Sequence, residues 1–453
     1  MTLLAVVLVV VLVTWLRMPA FVALAAASLF VGLAARMPLA DIPRAFQQGV
    51  GDTLGFTAIV IGLGTVIGKL LAESGGAVVV SQAIVSALGE RRLDWALLFS
   101  AFIVGLPVFF PVGLVLLAPV LFTLTRRTAD RRAESAASLR DEGAPLLRLG
   151  IPLVAGLSVA HGLVPPHPGP LAAIERLGAD TGRTLFYALL VGFPVAIIAG
   201  PLFGRFISRR IRVDAGAIAE QITGSRTAAR TPSLAITLTT ILLPALLMLL
   251  ATLVQAAMPD AAVRPWITFA GSPLVAMLLA TLLSLYTFGL GCGVDRARLL
   301  RFAEESLPAI AGVLLVVGAG GGFGRVLDAA GAGTAIAHSF DSIGGLRLPP
   351  LVLGWVIASL LRLAVGSATV AVVTAAGIMA PMVATTRVNA DLLVVAIGAG
   401  SLIASHVNDG GFWLVKEYLN MSVPQTVATW TVMETIIAVA GLAGVLLLSL
   451  IVG

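Results

Sequence analysis

Arg362 is the residue whose chemistry stands out first. It lies between Leu361 and Leu363 in an apolar stretch. A charge inside a membrane span is expensive and usually functional. The planar guanidinium fork suits a carboxylate. One helical turn on, the run RLAVGSATV (362–370) brings Gly366, Ser367 and Thr369. The two hydroxyls suit the hydroxyl groups of a polar ligand, although Ser and Thr also bond back to their own helix. The competing reading of Arg362 is a structural pair with Asp409 or Glu434.

The run SHVNDGGFW (405–413) sets Ser405, His406, Asn408 and Asp409 beside two glycines. Asp409 can accept hydrogen bonds from a polyol, carry a coupling proton, or cap a helix starting near Gly411. The run HGLVPPHPGP (161–170) has four prolines within six residues, with His167 and Pro168 at its centre. His167 and His406 are of a type that titrates near neutral pH. The run GLPVFFPVG (105–113) sets two prolines around two aromatics, and Glu434 sits in WTVMETI (430–436). The substrate-binding set is therefore Arg362, Gly366, Ser367, Thr369, His167, Pro168, Ser405, His406, Asn408 and Asp409. The proton-coupling set is Asp409, His406, His167 and Glu434. Histidine spacing fits no zinc pattern, so no metal site is expected. GxSxG and HExxH are absent and no nucleophile–base pair is evident, so an enzyme is not expected. Neither is a cofactor beyond a coupling ion.

The elements that position these groups follow from composition. The 453 residues are 58% hydrophobic and 11% charged, against about 25% charged in a soluble domain. Mean hydropathy is +1.04. Apolar runs of the length that crosses a bilayer recur along the chain. They are continuous, not alternating, so helices are expected and a barrel is not. Thr2–Leu16 reads as a retained first helix, because it lacks a charged start and leads through Arg17-Met18-Pro19 into a second apolar run. The net charge of +6 comes from basic residues of which only Lys69 and Lys416 are lysine. It sits in short loops, the positive-inside pattern, which argues against a nucleic-acid partner. Cys292 is alone and makes no internal disulfide.

Breakers inside a span leave backbone groups that only protein or a water-filled cavity can satisfy. They also bring helix N-termini to membrane depth, where an anion can bind. Placing the arginine-rich stretches Arg126–Arg148 and Arg205–Arg230 in the cytoplasm predicts a broken span over Ile151–Leu177 and a second over Thr184–Phe203. Spans over Leu234–Gln255 and Thr268–Leu290 then lead to a basic turn at Arg296–Arg301. A repeat is also visible. IGLGTVIGKLLAESGGA (61–77) lies over VGAGGGFGRVLDAAGAG (317–333), pairing Gly62, Gly64, Gly68 and Gly75 with Gly318, Gly320, Gly324 and Gly331. Lys69 pairs with Arg325, and Glu73 and Asp328 fall near them. The topology inverts the two copies, dividing the chain into 1–226, with a cytoplasmic loop at 126–148, and 231–453.

GLVPPHPGPLAAI, LGAD (177–180), AGPLFGR (199–205), GSATVAVVTAAG (366–377), SHVNDGGFWLVKEYL (405–419) and WTVMETI together resemble the gluconate permease family of bacterial secondary transporters, within the ion-transporter superfamily. The resemblance spans nearly the whole chain. It implies an all-α polytopic bundle of two inverted repeats with re-entrant hairpins, in a bacterial inner membrane. It implies proton-driven uptake of gluconate or a related hydroxy acid by alternating access, with D-serine among the substrates of relatives. Two positions depart from the family pattern: Pro111 stands where an acid usually follows the paired aromatics, and Gly410 stands where serine is usual. A sodium-coupled carrier and an organic-anion channel are the alternatives. The expected partners are a small carboxylate and the lipid bilayer, with homo-oligomerisation left open.

Overall fold

The structure, a computed structural model, describes residues 8–9, 11–12, 15–134, 145–213, 230–258, 260–331, 349–407 and 409–452. Most of the expected opening helix Thr2–Leu16, and the loop stretches 135–144 and 214–229, lie outside the described residues.

The first half of the chain contains α1 (Ala20–Ala34), α2 (Asp41–Glu73), α3 (Gly76–Leu88), α4 (Leu93–Gly105), α5 (Phe110–Glu134), α6 (Pro145–Leu163), α7 (Pro168–Leu177) and α8 (Thr181–Ser208). The second contains α9 (Leu234–Ala257), α10 (Arg264–Ala270), α11 (Pro273–Cys292), α12 (Arg296–Ser306), α13 (Pro308–Ala329) and α14 (Pro350–Val365). It ends with α15 (Ala368–Thr385), α16 (Ala390–Gly400), α17 (Gly410–Tyr418) and α18 (Val423–Val452). No strand occurs among the described residues. Eight helical stretches there are long and apolar enough to cross a bilayer. The molecule is an all-α, multi-pass membrane protein.

Local sequence explains where helices start. Proline occupies the first turn of α7, α10, α11, α13 and α14, where its missing N–H costs nothing. Asp180, Asp295 and Asn389 accept from backbone N–H groups at 2.8, 2.8 and 3.1 Å to cap α8, α12 and α16. Hydroxyls within apolar helices bond back to the carbonyl four residues earlier, as Thr57 does to Thr53 at 2.8 Å.

The matched segments of the repeat, α2 and α13, pack directly on each other. A Cβ built on Gly49 would lie 2.4 Å from the Gly321 carbonyl oxygen, and one on Gly321 would lie 2.1 Å from Thr53 Oγ1. The glycine run of α13 therefore serves close helix approach rather than a break, and both helices run unbroken through it. Gly75 and Gly331, matched in the repeat, both adopt left-handed conformation after their helices, with φ of 72° and 71°.

Three expectations change. Arg296–Arg301 is not a turn but the start of α12, because Asp295 caps it. The span expected over Thr268–Leu290 begins at Pro273, after the short helix α10 and a break at Gly271-Ser272. Asp328 pairs with Arg176 of α7, not with its helix neighbour Arg325, which is exposed. Lys69 does pair with Glu73, at 3.0 Å, and also reaches Glu305 at 3.2 Å.

Candidate functional site

The four breaker segments are all breaks in the helical ladder. Helix stops between α4 and α5, α6 and α7, α14 and α15, and α16 and α17. Three of the helices that restart there open onto one cavity of about 290 Å³. Phe110 and Pro111 bring the start of α5, Ser367 to Thr369 the start of α15, and Asp409 to Gly411 the start of α17. Each helix N-terminus carries roughly half a positive charge in unpaired N–H groups. The wall is completed by Ser158 and His161 of α6, Arg362 of α14, and Trp430 and Glu434 of α18.

Arg362 is 3% exposed. One Nη donates to the carbonyl of Gly366, whose left-handed φ of 76° ends α14. The other donates to Asp409 Oδ2. Asp409 is also the cap of α17, since Oδ1 accepts from Gly411 N at 2.9 Å. Ser405 Oγ donates to Asp409 Oδ2 and accepts from Trp430 Nε1 at 2.8 Å. Thr431 Oγ1 donates to the Ser405 carbonyl at 2.5 Å. A chain of bonds thus ties α18 through Ser405 and Asp409 to Arg362. Such linked polar groups in a low-dielectric interior fix one geometry.

Three polar groups on this wall are buried without a hydrogen-bond partner. They are Arg362 Nε, His161 Nδ1 and the oxygens of Glu434, which meet no donor at full geometry but have the Ser158 hydroxyl beside them. A buried polar group left unpaired is costly, and native structures keep few of them. The residues that carry them all line the one cavity, which gathers polar side chains where a ligand would sit. Chemically the cavity offers a guanidinium and helix N-termini for an anion, and hydroxyl, imidazole and carboxyl groups for a hydroxylated body.

The sequence profile described as GntP family permease matches residues 1–451. The chain belongs to the GntP permease family. A gluconate permease of Pseudomonas aeruginosa is 46% identical over 445 residues, covering 98% of this chain and 95% of that one. A high-affinity gluconate transporter of Escherichia coli K12 is 38% identical, covering 99% and 98%. A D-serine transporter of the same organism is 34% identical, again covering 99% and 98%. Among solved structures, the YdaH transporter of Alcanivorax borkumensis superposes with a TM-score of 0.62 at 19% identity, covering 94% of this chain and 96% of that one. That likeness concerns the fold.

In this GntP family permease the residues singled out from sequence divide into three groups. Arg362, Gly366, Ser367, Thr369, Asp409 and Glu434 line the cavity. Ser367 additionally caps α15, accepting from Val370 N at 3.4 Å. His167, Pro168, Ser405 and His406, grouped with the binding residues from sequence, stand behind the wall. His167 Nε2 lies 2.7 Å from the Gly105 carbonyl, which only accepts, so this nitrogen carries the hydrogen and the ring is tied to α4. It stacks edge-on against His161, 5.2 Å between centroids. Pro168 is the first residue of α7, and His406 Nδ1 donates to the Ala404 carbonyl at 3.0 Å. Ser405 acts through Asp409. Asn408 lies outside the described residues.

Sequence reasoning passed over Ser158, His161 and Trp430. Spacing held a signal. Ser158 and His161 are three apart in the helix that runs into the proline break, and Trp430 and Glu434 are four apart, so each pair shares a helix face.

Proposed function

We propose that this permease takes up a small sugar-acid anion such as gluconate by proton symport, through alternating access, across a bacterial inner membrane. The observation that carries the reading is Arg362, held at the wall of a cavity where three helices begin. An anion's carboxylate would take the free N–H groups of Arg362 and the backbone donors of α15 and α17. The hydroxylated body would face Ser158, His161, Thr369 and Glu434. The names of the gluconate-transporting relatives support this substrate class.

Two inverted repeats would supply the moving parts. Support comes from the shared left-handed Gly75 and Gly331 and from the order of breaks. In each half, two broken helix pairs are followed by a long helix containing one π turn, at Ile198–Leu202 in α8 and Val427–Thr431 in α18. Divisions near 1–226 and 231–453 would then separate the halves. One proton per monovalent anion would make uptake electroneutral.

A second reading is a small amino acid, favoured by one observation. Glu434 has no cation pair in the cavity and would accept an ammonium group, and one relative is named a D-serine transporter. The test is accumulation in proteoliposomes with gluconate, other sugar acids and D-serine. A pH gradient with the acid side outside should concentrate gluconate inside, and collapsing it should stop the gain. Accumulation on a sodium gradient alone would replace the proton by sodium. Equilibration without accumulation would point to an anion channel.

A further inference from the structure

We propose that Glu434 is the group that takes the coupling proton, and that in its protonated form it is also a ligand for a substrate hydroxyl. This rests on the proton-symport reading above and narrows it to one side chain.

The case is geometric. Glu434 is fully buried, and neither of its oxygens meets a donor at full hydrogen-bond geometry among the described residues, the Ser158 hydroxyl being the one donor beside it. It lines the cavity together with Arg362, Asp409, Ser158 and His161. The rival carboxylate, Asp409, is already engaged. Its oxygens accept from Arg362, Ser405 and Gly411. A proton on Asp409 would have to displace one of these donors and loosen Arg362 at the moment an anion needs it. A proton on Glu434 asks at most that the neighbouring Ser158 hydroxyl turn, and breaks no ion pair or helix cap.

The charged and titratable groups facing Glu434 are Arg362 from α14, Asp409 from the segment before α17, and His161 from α6. The other helices packed on α18 keep their charges elsewhere. Asp391 of α16 is bonded to Arg183 and to the Asp180 backbone, at 3.1 and 2.7 Å. Arg205 of α8 pairs with Asp94 at 2.5 Å, and Lys416 of α17 with Glu417 at 2.7 Å.

The sign of coupling follows. With Glu434 ionised, the cavity holds two carboxylates and one guanidinium, and a third anion is repelled. With Glu434 neutral, Arg362 and Asp409 balance, and the helix N-termini leave the cavity attractive to an anion. The neutral carboxyl also offers an O–H to a substrate oxygen and an acceptor to a substrate hydroxyl. Proton and anion thus enter together and leave together. The proton comes from water on one side and returns to water on the other.

The test uses the full-length protein in proteoliposomes and nanodiscs, with gluconate as the probe. Gluconate binding to wild type should weaken as pH rises, approaching about tenfold per pH unit at the alkaline end. In Glu434→Gln, whatever affinity for gluconate remains should show no pH dependence, and accumulation driven by a pH gradient should be lost. Glu434→Asp, which keeps the acid, should retain gradient-driven accumulation at a reduced rate. Gradient-driven accumulation by the Gln variant, or retained pH dependence in its binding, would overturn the assignment while leaving proton symport in place. Failure of the folded Asp variant to accumulate while it still binds would also overturn it. No response of wild type to the pH gradient would remove the symport reading itself.

Discussion

Arg362 and Asp409 each have two jobs, and this decides how their variants behave. Arg362 closes the end of α14 through the Gly366 carbonyl and holds Asp409. Asp409 caps α17. Removing one member of a buried ion pair leaves the other uncompensated, at a cost of about 3–5 kcal/mol. Arg362→Ala should therefore abolish gluconate uptake and also lower the unfolding temperature. Arg362→Gln combined with Asp409→Asn should recover most of the stability and none of the uptake, which separates the two roles. Uptake with an unchanged KM in either variant would remove Arg362 as the carboxylate clamp. At this scale the sequence was a good guide to charged groups. A buried arginine or carboxylate is costly enough to announce itself, so Arg362, Asp409 and Glu434 were all legible. Which of them touch was not, because Arg362 and Asp409 are far apart in sequence and meet only through the packing of α14 on α16 and α18. His167 and His406 look as reactive as His161 in a sequence. Only their carbonyl partners distinguish them.

Breaks and crossings are the element-scale devices, and glycine serves both. The four breaks were legible because proline or glycine falls there beside polar or paired aromatic side chains, whereas lone prolines such as Pro152 and Pro194 sit within continuous helices. Glycine elsewhere serves close helix packing, and geometry tells which glycine does. A Cβ on Gly49 would meet the Gly321 carbonyl at 2.4 Å, while one on Gly62 would meet nothing within 4 Å. Gly49→Ala should therefore force α2 and α13 apart, costing about 1–3 kcal/mol by overpacking. Gly62→Ala should be neutral, or stabilising by up to about 1 kcal/mol from better helix propensity. Thermal unfolding of the two variants in detergent checks this. Equal destabilisation by both would mean that the α2–α13 crossing is not the tight contact described.

Ion pairs between the two halves bear on how the whole molecule would move. Arg176 of α7 pairs with Asp328 of α13, Lys69 of α2 with Glu305 of α12, and Arg183 of α8 with Asp391 of α16. The pair at the cavity, Arg362 with Asp409, lies within the second half. If elements of the repeats rock against a scaffold, pairs of the first kind form and break during the cycle, and the cavity pair travels intact. The Arg176–Asp328 pair is the most telling of these. It joins the far end of α7, whose start adjoins the His167–His161 stack, to the helix that packs on α2. Glycine at 324 lets Arg176 pass: a Cβ there would lie 2.9 Å from its Nε. Asp328→Asn weakens a link present in this conformation without touching the cavity wall. A bias of about 1–2 kcal/mol shifts a two-state balance by about 5- to 30-fold. The expected result is a change in maximal uptake rate of that order, in either direction, with the KM for gluconate moved by less than about threefold. Arg362 variants, by contrast, should lose gluconate binding itself. A rise in KM alone for Asp328→Asn would mean that the pair shapes the cavity and not the movement of the halves.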